Sequence, residues 1–84
     1  MVKKLVKINL STGLEARPVA QLVQLANRYG CEIYMEAGDR RVNAKSIMGM
    51  MTLGLDTGEE IAVTAEGEGE EEAIQSVETY LSGD

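Results

Sequence analysis

With 84 residues, this chain can bury one small hydrophobic core, and its single cysteine, Cys31, excludes an internal disulfide. It contains no histidine, which removes both the usual Cys/His zinc patterns and every imidazole reaction. The net charge of -6 is divided unevenly: residues 1–45 hold all 8 bases and 4 acids (+4), residues 46–84 hold 10 acids and no base (-10). That polarity governs how partners approach, and bases scattered over several elements argue against direct nucleic-acid binding.

Residues 2–10 alternate, with Val2, Val6, Ile8 and Leu10 on one face and Lys3, Leu5, Lys7 and Asn9 on the other. They predict a half-buried strand whose apolar side only Lys4 interrupts. Ser11-Thr12-Gly13 reads as a loop, and Pro18 falls where a first helical turn tolerates proline. Val19, Leu22, Val23 and Ala26 keep helical spacing until a stop at Asn27 to Gly30, so a helix over about 16–27 is expected. Cys31 opens the next strand as a small, half-buried hydrophobe. Ile33 and Met35 alternate with Glu32, Tyr34 and Glu36, Gly38-Asp39 offers a turn, and Arg41-Val42-Asn43 forms a short second arm.

Ser46 precedes a helical segment of about six residues that its hydroxyl can cap. Residues 60–66 alternate again, with Ile61, Val63 and Ala65 inward. Ala73, Ile74, Val77, Tyr80 and Leu81 mark one face of a last helix, and Glu70, Glu71 and Glu72 sit in its first turn, where anions suit the positive helix end. The order strand, helix, strand, strand, short helix, strand, helix indicates an α+β domain over residues 1–84 with its helices on one face of the sheet. No apolar run approaches the roughly 20 residues of a membrane span. The charged start at Val2-Lys3-Lys4 leads to no cleavage site. A cytoplasmic, reducing location without membrane insertion is therefore expected.

Two stretches carry the chemistry: Gly13-Leu14-Glu15-Ala16-Arg17-Pro18 and Asn43-Ala44-Lys45-Ser46-Ile47-Met48-Gly49. They resemble two motifs of the HPr family, the histidine-containing phosphocarriers of the bacterial phosphoenolpyruvate-dependent sugar phosphotransferase system. The resemblance runs the length of the chain. It implies an HPr-like open-faced β-sandwich, a four-stranded antiparallel sheet in the order 1-4-2-3 covered on one face by three helices. In the family the first motif reads Gly-(Ile/Leu)-His-Ala-Arg-Pro, and its histidine carries the phosphoryl group. The second motif holds a regulatory serine, modified by HPr kinase/phosphorylase. Glu15 occupies the histidine position here, and Arg17 the position of the arginine that pairs with the phosphoryl oxygens.

A phosphoryl carrier needs an acceptor that is nucleophilic near neutral pH, which imidazole, titrating near pH ~6.5, provides. The helix start and Arg17 supply the cradle while the acceptor is missing. An acyl phosphate on Glu15 would demand a donor not built around imidazole, and no neighbouring nucleophile gives it a role as general base. The favoured reading is a fixed anion that pairs with Arg17 or with the helix N-terminus. One hypothesis follows: its permanent charge imitates the phosphorylated state and biases partner choice.

The resemblance makes Ser46 the regulatory site. Phosphate at a helix N-terminus is favoured by the dipole and free N-H groups. Met50 and Leu53 are expected in the core. Ile47, Met48 and Met51 are expected to form an exposed patch flanked by Arg17, Ala20 and Gln24, since adaptable methionine surfaces suit protein docking. A histidine-lacking branch, the catabolite repression HPr-like proteins, keeps only the corepressor role of the serine-phosphorylated form with a LacI-type catabolite control regulator. Loss of the acceptor and retention of the serine motif resemble that branch, although Glu stands where Gln is expected. The expected protein is thus a regulator and not an enzyme. Two alternatives stand beside it: a phosphocarrier HPr whose histidine has been substituted, and a module that binds a metabolic enzyme. A monomer able to pair through an edge strand is expected. No metal, nucleotide or organic cofactor is expected, because the glycines lack phosphate-loop spacing and the acidic run lacks Ca-loop spacing.

Overall fold

The computed structural model describes every residue except Thr12, Leu14 and Asp84; Thr12 of the first loop and Leu14 of the first motif thus lie outside the described residues. The elements are β1 (Val2–Lys7), α1 (Ala16–Ala26), β2 (Glu32–Ala37), β3 (Arg40–Asn43), α2 (Ile47–Met51), β4 (Glu60–Glu66) and α3 (Glu70–Leu81). The four strands form one antiparallel sheet in the order β1-β4-β2-β3. Register aligns Val6 with Ile61, Met35 with Val63, and Ile33 with Ala65. These side chains therefore form one apolar sheet face.

Val19, Leu22, Val23 and Ala26 of α1 and Ala73, Ile74, Val77 and Leu81 of α3 join that face in a single core cluster. Removing a large aliphatic side chain of this kind from water contributes about 1.5–3 kcal/mol. No helix among the described residues is long and apolar enough to cross a membrane.

Several local features differ from the sequence expectation. β1 stops at Lys7 because the backbone then turns to other partners: Ile8 N-H donates to Glu59 O, and Asn9 N-H to Leu81 O. Ile8 nevertheless stays fully buried. Lys4 does lie on the helix-facing side, but at its rim, where Nζ reaches Glu78 Oε1 of α3 at 2.7 Å. α1 ends at Ala26 with Asn27 as its cap; Asn27 Nδ2 donates to Val23 O at 2.8 Å, and Gly30 is not among the left-handed glycines. α2 has five residues. Cys31 sits just before β2 and is buried, not half-buried.

β4 is flanked on both edges, so even its outward residues Ala62 and Thr64 are buried. The Thr64 hydroxyl has no hydrogen-bond partner among the described residues. An unpaired buried hydroxyl costs about 1–3 kcal/mol. Thr64→Val keeps the shape and removes that cost, so it is expected to raise stability by about 1 kcal/mol in a denaturant titration; a loss of stability would show that the hydroxyl is satisfied.

The start of α3 is tied by one carboxylate. Glu70 Oε1 accepts from Gly67 N-H at 3.0 Å, and Oε2 lies 3.2 Å from the Met1 ammonium. The Gly67 bond first, and the ammonium second, hold the Glu70 carboxyl below the usual carboxylate range. A lowered folded value means that stability is present above the unfolded-state value and lost as pH falls through the folded one. Glu70→Gln is expected to lower the unfolding temperature at neutral pH, and the gap from the wild type should close on acidification. A gap of constant size across the titration would contradict this.

Candidate functional site

Ser46 is placed by a short chain of local bonds. Asn43 Oδ1 accepts from Lys45 N-H at 2.8 Å, and Asn43 O accepts from Ser46 N-H at 3.0 Å, which folds the chain back after β3. Lys45 Nζ reaches Tyr29 O at 2.7 Å and so anchors this turn to the segment after α1. Ser46 has extended backbone angles, φ -106° and ψ 114°, and its Oγ accepts from Gly49 N-H at 3.2 Å. It is therefore an N-cap on an exposed residue. Gly49 packs close to this cap: a Cβ there would meet Ser46 Oγ and Val42 Cβ at 3.4 Å, the near edge of ordinary contact. At the other end of α2, Thr52 Oγ1 donates to Gly49 O at 2.6 Å, and Arg40 Nη1 to Thr52 O at 3.0 Å.

Only Met50 of α2 is buried. Ile47, Met48 and Met51 are 51%, 83% and 48% exposed, and among the described residues only Met1 and Leu5 elsewhere are large apolar side chains left so open. On α1, Arg17 and Gln24 are exposed and Ala20 is half-buried. Positions 17, 20 and 24 share one stripe of that helix. α1 packs against both α2 and α3. The α3 side carries Pro18 and Gln21, both bonded by Tyr80. The α2 contact thus falls to the opposite flank, where Ala20 sits. The helix that carries the stripe therefore adjoins the helix that carries the patch.

Glu15 is the N-cap residue of α1, with extended angles (φ -94°, ψ -175°), and its carbonyl accepts from Val19 N-H at 2.9 Å. Its side chain makes no cap bond. Among the described residues the ion pairs are Met1–Glu70, Lys3–Glu36 and Lys4–Glu78. The expected pairing of Glu15 with the helix N-terminus or with Arg17 is therefore corrected: Glu15 makes no cap bond and no ion pair with Arg17, and both residues are exposed. A water-exposed pair would gain little from closing, with entropy opposing it.

The loop before Glu15 is held from below by residues 54–59. Gly58 N-H donates to Ile8 O, Thr57 Oγ1 donates to Leu10 O, and Gly13 N-H donates to Leu10 O. Gly13 has φ +69°, and a Cβ there would lie 2.8 Å from Leu55 O, so the two loops meet too closely for a side chain. Next to Glu15 lies a cavity of about 480 Å³ whose lining includes Leu10, Ser11, Arg17, Gln21 and Tyr80. Burial raises the Tyr80 phenol above its ordinary value, and the Arg17 guanidinium opposes that shift.

Helical spacing puts Tyr80 on the packing face of the last helix and carries no sign of its link to the first motif. The same holds for the loop at 54–59. No periodicity or motif marks either contact, because both join segments far apart in the chain.

A family model described as the PTS HPr component phosphorylation site matches residues 2–82. The HPr-like protein Crh of Bacillus subtilis (strain 168) is 46% identical over 81 residues, spanning 96% of this chain and 95% of that one. Among solved structures, a phosphocarrier protein HPr from Bacillus anthracis str. Ames superposes with a TM-score of 0.93 at 46% identity over 95% of each chain. A crystal structure of Bacillus subtilis Crh, described as a catabolite repression containing protein with a swapping domain in a dimer, gives a TM-score of 0.81 at 44% identity. It covers 100% of this chain and 97% of that one.

Proposed function

Because this chain belongs to the HPr family, we propose that it is an HPr-like regulator of carbon catabolite control, switched at Ser46 and acting through protein contacts. The observation that carries this reading is the juxtaposition of an exposed N-cap hydroxyl with the exposed side chains of Ile47, Met48 and Met51. Phosphate on Ser46 adds close to two negative charges where the helix N-terminus tolerates them. α2 keeps its buried anchor, Met50. What changes is the charge beside an apolar docking surface, so the modified form selects a partner that brings cations to meet it.

In this reading HPr kinase/phosphorylase modifies Ser46, and the modified surface of Arg17, Ala20, Gln24, Ile47, Met48 and Met51 docks on a LacI-type catabolite control regulator or a metabolic enzyme. Glu15 leaves the first motif unable to carry phosphate on histidine and presents a fixed charge beside the same surface. The protein works in the cytoplasm as a monomer, with a dimer as its second state. Catalysis belongs to the kinase, while this chain is substrate and ligand.

The test is incubation with ATP and the kinase, followed by intact-mass measurement. A gain of about one phosphate that disappears in Ser46→Ala is expected. Ser46→Ala also loses the cap, at a cost of about 0.5–2 kcal/mol, so folding of the variant is checked in parallel by circular dichroism. No gain, or a gain that survives the substitution, contradicts the proposal.

A further inference from the structure

The two ends of helices that matter to docking are secured in different ways. α2 is capped by its own Ser46, whereas α1 begins at Glu15 with no side-chain cap. An uncapped first turn is the part of a helix that frays most readily. A contact from outside the helix ties this end down by other means, leaving the free N-H groups of the first turn to water. Tyr80, in the last turn of α3, has its hydroxyl 2.7 Å from Gln21 Oε1 and 3.3 Å from Pro18 O.

One O-H is thus directed at two acceptors in the opening turns of α1, and the Tyr80 side chain helps to line the cavity shared by Glu15 and Arg17. The contact falls on the flank of α1 that faces away from α2. Arg17, Ala20 and Gln24 remain free to meet a partner while Tyr80 holds the turn beside them.

We propose that Tyr80 is a positioning residue for the docking surface: through Gln21 and Pro18 it fixes the first turn of α1, and with it the directions in which Glu15 and Arg17 present their charges to a partner seated on the α2 patch. This inference rests on the docking reading given above. Its physical basis is that a charge read at an interface is effective only when its own geometry is held by the residues around it.

Tyr80→Phe keeps the ring and removes only the hydroxyl. Loss of one net hydrogen bond corresponds to about a two- to tenfold change in an opening equilibrium. Amide exchange at Val19 to Leu22 is therefore expected to accelerate by about that factor, with α2 and the sheet unchanged. Acceleration spread evenly over the whole protein, or none at the first turn, overturns the inference.

The second arm uses the kinase with ATP as the probe. The KM for the protein is expected to rise about two- to fivefold in Tyr80→Phe with kcat unchanged, and to rise no further when Tyr80→Phe is added to Arg17→Ala. An unchanged KM, or effects that simply add, overturns it. If wild-type Ser46 takes no phosphate, the Ser46 reading fails by itself. The exchange experiment on the free protein then still decides whether Tyr80 secures the first turn, so the two failures are distinguishable.

Discussion

Glu15→His is expected to turn a protein that takes no phosphoryl group from phosphoenolpyruvate and Enzyme I into one that takes about one per chain. The chemical step missing from the wild type is attack by a neutral nitrogen. A carboxylate is a weaker nucleophile, and imidazole titrates near pH ~6.5, close to the working pH. The described residues around the position suit the product. The backbone at Glu15 is extended, its side chain is engaged in no cap bond, and Arg17 stands exposed two residues on. Gly13 seats the preceding loop against Leu55 and Asp56.

Among the described residues, substitution at 15 therefore costs no cap bond and no ion pair, and it supplies the nucleophile. The imidazole nitrogen forms its bond to phosphorus as the bond to the donor histidine of Enzyme I breaks, and the helix N-terminus with Arg17 receives the charge. Glu15→Gln is the control, expected to stay unlabelled. Transfer to wild-type Glu15 itself, seen as a hydroxylamine-sensitive acyl phosphate, would contradict this account of the site.

Met50→Ala is expected to have the largest effect on the Ser46 region of any single truncation. α2 has five residues, far below the ~12–15 at which an isolated helix becomes even marginal in water. Its position depends on packing, and Met50 is its only buried side chain. Removing a buried methionine side chain costs about 2–5 kcal/mol, a large share of the ~5–15 kcal/mol that a domain of this kind has in total. The Ser46 cap and the patch of Ile47, Met48 and Met51 lose their common platform with it.

Thermal unfolding and amide exchange in α2 measure this directly. Met48→Ala is the counterpart: at 83% exposure it should change stability by no more than about 0.5 kcal/mol while weakening docking. Equal destabilisation by the two variants would mean that α2 is not anchored as described.

The features legible in the sequence are those set by neighbours along the chain. Residues 60–66 alternate because one face of β4 meets the helices, and the strand occupies Glu60–Glu66. Gly38-Asp39 turns β2 into β3, and Ser46 caps α2, each through bonds within three or four residues. The strand order came only from the family resemblance, since alternation says which face is buried and nothing about which strand lies beside which. Burial of Ala62 and Thr64 follows from that order, and it was not anticipated.

Contacts between distant segments were the other gap. By alternation alone Lys4 interrupts an apolar face, and its partner Glu78 lies 74 residues away in the chain. The spacing of Tyr80 indicates ordinary packing, whereas its hydroxyl reaches Pro18 and Gln21. At the first motif, the residue types indicated a cradle without an acceptor, but the expected pairing of Glu15 did not form. No local rule decides whether an exposed carboxylate at a helix start bends back or stays in water, because the two states differ by little.

The most direct measurement is the intact mass of one protein sample exposed in parallel to two phosphoryl donors, phosphoenolpyruvate with Enzyme I and ATP with HPr kinase/phosphorylase. The expected result is no change with the first and a gain of about one phosphate with the second, mapped to Ser46 and absent in Ser46→Ala. Phosphate arriving from phosphoenolpyruvate, or failing to arrive from ATP, would contradict the central claim that Glu15 is silent and Ser46 is the switch.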